Sequence, residues 1–258
     1  MFIYNLKRYI IFNIFNLEWC SIAEGEGQRM ATKNFLIGDV LRDSLETFKG
    51  NWALFVGLTF IAFIISAIAG SIDNALFTAP SPSGGGFRPS LRIFSFLAGA
   101  FISMGAINVA LKSIKGEKAE IGDFFTVYPL YLIFLVSNFL FDVAVGIGFI
   151  LLIIPGIYLF VRLQFFGYYI VDENTRSTDA IVKSLRKSWE LTRGIAGKVF
   201  LLDLALLGLI ILGAIPLGLG LLIAFPLVFL TNAYVYRGFG GSAVASKVEP
   251  TLVGPAAR

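Results

Sequence analysis

The chain has 258 residues, of which 57% are apolar and 15% charged, and its formal net charge is +4. Soluble domains carry roughly 25% charged residues, so this composition excludes an ordinary soluble fold. Histidine is absent and Cys20 is the single cysteine. Disulfides within the chain, zinc sites built on Cys or His, and His-dependent catalysis are therefore excluded, and we expect no catalytic residues, metal site or cofactor.

Residues 1–29 differ in pattern from the rest of the chain. The apolar stretch 9–15 is too short to cross a bilayer, and residues 24–29 are polar and without periodicity. We expect 1–29 to be a non-native or disordered extension, with translation starting at Met30 rather than Met1, because a Glu-Gly-Glu stretch can be encoded by a purine-rich ribosome-binding sequence. The alternative is a signal peptide, but no small-residue cleavage site follows closely.

The next part of the chain predicts membrane helices. From Ala31 apolar residues recur at helical spacing among charged ones, which predicts an amphipathic helix on the membrane surface. Continuous apolar stretches follow, each long enough to cross about 30 Å of hydrocarbon, and their lack of alternation favours helices over a β-barrel. The predicted fold class is all-α, a polytopic membrane protein with six transmembrane helices over about residues 52–72, 93–111, 128–153, 155–171, 199–215 and 216–236.

These six helices are predicted to form three hairpins within one membrane domain, residues 30–237. Gly146, Gly148 and the Pro155-Gly156 pair bracket the second hairpin's turn, because proline is tolerated in a first helical turn and glycine permits a tight reversal. Residues 79–90 contain three prolines and a glycine triplet, which is typical of a flexible loop. The tail, residues 238–258, has no periodicity and is expected to be a disordered cytoplasmic segment.

Basic residues predict the orientation. Outside residues 1–29, the segments flanking the hairpins on one side hold 15 Lys and Arg, whereas the alternate loops hold 2. The positive-inside rule therefore predicts a multi-pass protein of the cytoplasmic (inner) membrane with both termini in the cytoplasm. Because this topology accounts for the basic residues, we do not expect nucleic acid as a partner.

Short motifs recur ahead of the hairpins. Ile-Gly-Asp ends at Asp39 and again at Asp123, and a Ser-Leu pair follows both Asp39 and Asp179 after five residues. Within the spans, Asp142 and Asp203 each precede the proline of an Ile-Pro pair by 13 residues. We interpret these matches as three parallel units, each an amphipathic helix followed by a hairpin. The first three aspartates are expected to stabilise helix N-termini.

Asp142, Arg162 and Asp203 are the charges that fall within the predicted spans. An ionised group in hydrocarbon is costly unless it is paired or hydrated. Asp142 and Arg162 lie at similar distances from the hairpin turn, so we predict that they pair. The pair is either a structural lock between the third and fourth spans or part of a proton- or ligand-binding site. Asp203 is expected to pair with Lys198 or Arg237.

Residues 179–193 are predicted to form a further surface helix, with Ile181, Leu185 and Trp189 on its apolar face. The basic side chains on its other face would either anchor the helix or select anionic lipid headgroups. The neighbouring Asp172-Glu173 carboxylates are interpreted as solvated rather than as a metal site. The predicted lipid-headgroup surface consists of Lys183, Arg186, Lys187 and Arg193.

The stretch 152–162, LIIPGIYLFVR, is followed by Val-Asp-Glu at 171–173 and by a Leu-Thr-Arg-Gly pattern ending at residue 194. With the Ile-Gly-Asp motifs, it resembles the membrane domain attached to some bacterial glycerophosphodiester phosphodiesterases, which also occurs in stand-alone membrane proteins. The resemblance covers about residues 33–237. It does not imply phosphodiesterase activity, because the barrel domain and its histidines are missing here. The motif residues are Pro155, Gly156, Asp172, Glu173, Ser184 and Gly194.

The pattern as a whole favours a non-enzymatic membrane module that organises lipids or a partner membrane protein. The alternative is a small transporter or channel-like subunit that uses the Asp142 and Arg162 pair. An enzyme acting on lipid is a weaker third hypothesis, because nucleophile motifs and histidines are missing from the sequence.

Overall fold

The computed structural model describes residues 37–77, 92–174, 176–215 and 218–239. These residues form helices joined by turns, with no strand among them. Six helical stretches, two of which combine consecutive helices, are long and apolar enough to cross a membrane. The chain is thus an all-α polytopic membrane protein, which confirms the predicted fold class. The predictions for residues 1–29, for the start at Met30, for the 79–90 loop and for the tail beyond 239 lie outside the described residues.

The helices follow one another as predicted, with one surface helix before the first hairpin and another before the third. The first part comprises α1 (Ile37–Gly50), α2 (Trp52–Phe77), α3 (Ile93–Ile114), α4 (Asp123–Thr126), a 3-10 turn (Tyr128–Leu130) and α5 (Tyr131–Leu151). The second comprises α6 (Ile153–Leu163), α7 (Phe166–Glu173), α8 (Asp179–Leu191), α9 (Ala196–Ala214) and α10 (Leu221–Phe239).

Some boundaries differ from the predicted ones. The fourth span is two helices, α6 and α7, because the N–H of Phe165 donates to the hydroxyl of Ser188. The sixth span, α10, begins at 221 rather than 216, after a turn in which Gly218 has a φ of +79°. The surface helix of the second unit is reduced to the single turn of α4.

Glycine contacts close the second hairpin. The turn between α5 and α6 is the single extended residue Leu152, and Pro155 lies in the first turn of α6. A Cβ added at Gly156 would lie 2.6 Å from the ring of Phe149 and 2.8 Å from its backbone nitrogen. A Cβ added at Gly148 would lie 2.8 Å from the Cα of Gly156. The two helices therefore approach more closely than any side chain at these positions would allow.

The surface helices pack on the bundle through small polar residues. Ser44 of α1 is fully buried and accepts a hydrogen bond from the hydroxyl of Thr231 in α10 at 3.2 Å. In α8 the buried residues include Ser184 and Ser188. Ile181, Leu185 and Trp189, the predicted apolar face of 179–193, are half-buried, and the fully buried residues beside them are Ala180, Ser184, Ser188 and Leu191. Small residues at four-residue intervals let two helices approach closely.

Asp73 joins the two helices of the first hairpin. Asp73 lies in α2, and its side chain is buried. The carboxylate accepts hydrogen bonds from the backbone N–H of Phe94 at 2.9 Å and of Ser95 at 2.7 Å. The first N–H groups of a helix have no partner within that helix, and α3 has no side-chain cap from its own N-cap residue, Arg92. The carboxylate is thus a helix cap supplied across the hairpin, which explains why α2 continues past the predicted end at residue 72.

Replacement of Asp73 by alanine is expected to lower the free energy of unfolding by about 2 kcal/mol, because two N–H groups lose a charged acceptor. Denaturant unfolding in mixed micelles measures this loss. Asp73→Asn, which keeps one acceptor oxygen, should lose roughly half as much. The matched control is Asp43→Ala on the exposed face of α1, where we expect a change within about 0.5 kcal/mol. Equal losses for Asp73→Ala and Asp43→Ala would contradict the capping role.

Candidate functional site

Arg162 connects the fourth span to the surface helix α8. Its side chain is 1% exposed, although it carries a full charge. The Nε atom donates to the hydroxyl of Tyr158 at 3.1 Å, and Nη1 donates to the backbone oxygen of Trp189 at 3.3 Å. The guanidinium therefore links one turn of α6 to the last turn of α8.

Two aromatic rings lie beside this guanidinium. Its Cζ lies 4.3 Å from the ring centroid of Trp189 and 5.3 Å from that of Tyr158, and the two rings meet edge to face at 5.7 Å. A desolvated cation over an aromatic face gains about 2 kcal/mol. The hydroxyl of Ser188 also donates to the backbone oxygen of Arg162 at 2.9 Å. We name Arg162, Tyr158, Ser188 and Trp189 the arginine clamp.

The structure does not bring Asp142 and Arg162 together. Asp142 is exposed on α5 and accepts a hydrogen bond from the amide of Asn138 at 3.0 Å. The predicted ion pair is thus wrong. Similar distances from the turn give similar positions along the helix axes, but the faces differ, and α8 covers the side of α6 that carries Arg162.

Asp203 pairs with an amide rather than with a basic residue. The Nε2 of Gln164 donates to its carboxylate at 2.8 Å, at the break between α6 and α7. The expected contacts with Lys198 or Arg237 are not those that the structure gives. Gln164 was missed because only charged residues within the spans were considered. Its amide, a polar group within a predicted span, is the signal that could have identified it.

A polar cluster joins α3, α7, α8 and α10; it consists of Lys115, Asp172, Glu173, Lys187 and Tyr236. Lys115 pairs with Asp172 at 2.9 Å, and the hydroxyl of Tyr236 donates to the same carboxylate at 3.1 Å. Lys187 forms an ion pair with Glu173. The side chain of Asp172 is 3% exposed, so its predicted solvated state is wrong. Burial is possible because a cation and a hydroxyl both reach the carboxylate.

The outer face of α8 keeps only part of the predicted basic surface. Lys187 is directed toward Glu173 and lies 5.6 Å from the ring centroid of Tyr169. Lys183 is exposed, and the side chain of Arg186 is 79% exposed while it forms an i,i+4 ion pair with Glu190. The fourth predicted residue, Arg193, is exposed just beyond the end of α8.

The family-like motif residues do not form one site. Pro155 and Gly156 lie in the second hairpin's turn, and Asp172 and Glu173 lie at the opposite end of the fourth span. Two further motif residues act on α8: the hydroxyl of Ser184 donates to the backbone oxygen of residue 181, and Gly194, with a φ of +81°, follows the end of the helix. Pro155, Gly156, Ser184 and Gly194 thus shape the backbone of α6 and α8, whereas Asp172 and Glu173 belong to the polar cluster.

The three aspartates of the recurring motifs, Asp39, Asp123 and Asp179, lie in the first turns of their helices, as predicted. Asp39 and Asp179 are exposed. Asp123 accepts the backbone N–H of Glu120 at 2.9 Å and forms an ion pair with Lys112. Glu120 precedes α4, so this contact fixes the turn before the helix, and stabilisation of the helix N-termini by the three carboxylates stays a prediction.

Within the described ranges, no group of three or more His, Cys, Asp or Glu residues has a geometry that suits a metal ion. Comparison with protein-family models, with curated proteins and with solved structures finds no match. We therefore argue function from the contacts of the described residues.

Proposed function

We propose that this chain is a non-enzymatic integral membrane module that organises anionic lipids at the cytoplasmic membrane. The observation that carries the proposal is the state of α8, whose inner face is fixed by the arginine clamp while Lys183 and Arg186 remain exposed. A lipid phosphate would meet cations that are already held at the edge of a membrane bundle.

Fixing α8 on its inner side makes headgroup binding less costly. The helix is connected to the spans by a stacked guanidinium, by the hydroxyl of Ser188 and by the Lys187 to Glu173 ion pair. Binding to a preorganised surface loses less conformational entropy than binding to a mobile segment. The remaining exposed cations attract anionic headgroups by about 1 kcal/mol each near the surface.

The proposed orientation places both termini and α8 on the cytoplasmic side of the membrane, and basic residues support it as they support an anionic lipid partner. The 15 to 2 distribution of basic residues favours the cytoplasmic side for both termini and for α8. Anionic lipids give that surface a negative potential, so the side chains and the lipid charge are complementary.

The test uses the full chain in nanodiscs that contain equal amounts of phosphatidylglycerol and phosphatidylcholine. Native mass spectrometry counts the lipids that each variant retains. In Lys183→Gln with Arg186→Gln, we expect the ratio of retained anionic to zwitterionic lipid to fall about fivefold per cation at low salt.

The matched control is Arg42→Gln with Lys118→Gln, which removes the same charge from exposed positions outside α8. We expect its retained lipid ratio to change by less than about twofold. Equal loss in both double variants, or no loss in either, would contradict a headgroup surface on α8.

The transporter hypothesis has less support, because Asp142 and Arg162 lie on different faces of the second hairpin and do not act as one site.

We also propose that the chain is related to the membrane domain of bacterial glycerophosphodiester phosphodiesterases. Three of the residues that carry this resemblance, Pro155, Gly156 and Gly194, lie at turns or helix ends in this structure, so the resemblance concerns the fold rather than a reaction.

A further inference from the structure

A carboxylate lies on the exposed surface of a membrane span. Asp142 is near the middle of the 21-residue helix α5, and its side chain is exposed. Ionisable residues within spans are rare on lipid-facing surfaces, because hydrocarbon does not solvate them. The sequence predicted Arg162 as the partner of this carboxylate, but in the structure Arg162 contacts Trp189 of α8 instead. Asp142 therefore still requires a partner other than Arg162.

The contacts of Asp142 define what such a partner has to supply. One N–H of the Asn138 amide donates to Oδ2 of Asp142 at 3.0 Å. An amide has a second N–H donor and an oxygen acceptor, and a carboxylate has a second oxygen. Asn138 and Asp142 together thus offer one donor and two acceptors to whatever covers this part of α5.

This set of groups is self-complementary. When two copies meet about a twofold axis, the second N–H of each Asn138 can donate to the partner's Asp142. Each carboxylate then receives two N–H donors, one from its own chain and one from the other. Polar side chains such as asparagine that form hydrogen bonds between helices stabilise helix association in lipid.

Apolar side chains beside this polar pair suit a protein contact. Phe139 and Phe149, three residues before and seven residues after Asp142 on the same helix, are 56% and 47% exposed and lie on the side of α5 that carries the pair. They offer van der Waals contact around the central hydrogen bonds. We propose that the exposed face of α5 around Asn138 and Asp142 is an interface between two copies of this chain within the membrane. This interface is separate from the headgroup surface on α8.

The experiment measures self-association of the full chain in membranes. In a Cys20→Ser background the chain has no cysteine, so a single Val143→Cys next to Asp142 reports contact across the interface. A bismaleimide is expected to give a covalent dimer. Leu207→Cys, at a 51% exposed position on α9, is the control and is expected to give several-fold less.

Substitutions then test the hydrogen bonds themselves. Asn138→Leu with Asp142→Leu is expected to weaken dimerisation at least about fivefold, measured by native mass spectrometry from nanodiscs. Asp142→Asn, which keeps donors and acceptors, should retain the dimer. Ser71→Leu, an exposed polar-to-apolar change on α2, controls for added hydrophobicity and should leave dimerisation unchanged.

Several outcomes would overturn the proposal. One is a wild-type chain that stays monomeric, and another is a double-leucine variant that dimerises normally. Loss of the dimer in Asp142→Asn would show that the hydrogen bonds described here do not hold it. Labelling of Val143→Cys by a membrane-impermeant maleimide in a monomer would assign the face to water, and crosslinking only to a different protein would assign it to another partner.

Discussion

Arg162→Met is expected to lower the free energy of unfolding by about 3 kcal/mol. Methionine fills much of the same space but loses the cation over Trp189 and leaves the hydroxyl of Tyr158 and the backbone oxygen of Trp189 without their donor. We expect α8 to detach from α6 before the spans separate. Denaturant unfolding in mixed micelles measures the global loss, and limited proteolysis within residues 179–191 measures the local one.

Two further variants distinguish the contacts of the arginine clamp from the effect of removing a positive charge. Arg162→Lys keeps the charge but not the planar fork, so it should recover less than half of the lost stability. Arg186→Met removes an arginine whose side chain is 79% exposed, and its effect should stay within about 0.5 kcal/mol. If α8 resists protease in Arg162→Met as well as it does in the wild-type chain, the clamp does not hold this helix.

Gly156→Ala is expected to open the second hairpin. The added methyl group would lie 2.8 Å from the backbone nitrogen of Phe149, which cannot move without displacing α5. Overpacking of this kind lowers the free energy of unfolding by about 2 to 3 kcal/mol. Thermal unfolding in detergent measures the loss, and the distance between spin labels at residues 147 and 157 measures the separation of α5 and α6.

The same hairpin provides a control for this substitution. A Cβ at Gly146 of α5 meets no atom within 4 Å, so Gly146→Ala adds a methyl group without a clash. Because alanine favours a helix over glycine by about 1 kcal/mol, Gly146→Ala should leave stability unchanged or raise it slightly. A loss at Gly146 as large as that at Gly156 would show that the effect comes from glycine replacement in general.

The fold was predictable because its strongest signal is local. A run such as 52–72 has only one way to satisfy its backbone in hydrocarbon, which is to form a helix. The glycines near residue 152 and Pro155 marked the reversal of the second hairpin, because glycine permits a tight turn and proline is tolerated in a first helical turn. Boundaries were less predictable: Asp73 reads as the end of a span, yet a contact with the next helix keeps it inside α2.

The site was less predictable because its contacts link distant segments. Trp189 follows Arg162 by 27 residues, and nothing in either stretch shows that α8 covers that side of α6. Asp172 has the sequence environment of a solvated carboxylate, but its partners Lys115 and Tyr236 lie 57 and 64 residues away. Polar residues at a helix end have several possible partners, and only the packing of the helices selects one.

The sequence by itself determined that this protein is a helical membrane bundle with amphipathic segments, and it identified Asp142, Arg162 and Asp203 as groups that require partners. Those conclusions follow from the cost of exposing peptide groups and charges to hydrocarbon, which depends on composition and spacing. Only the tertiary structure decided which partners they have. Arg162 contacts Trp189, Asp203 accepts a hydrogen bond from Gln164, and Asp142 lies on the exposed surface of α5. The reason is that packing against its neighbours sets the face that each helix presents.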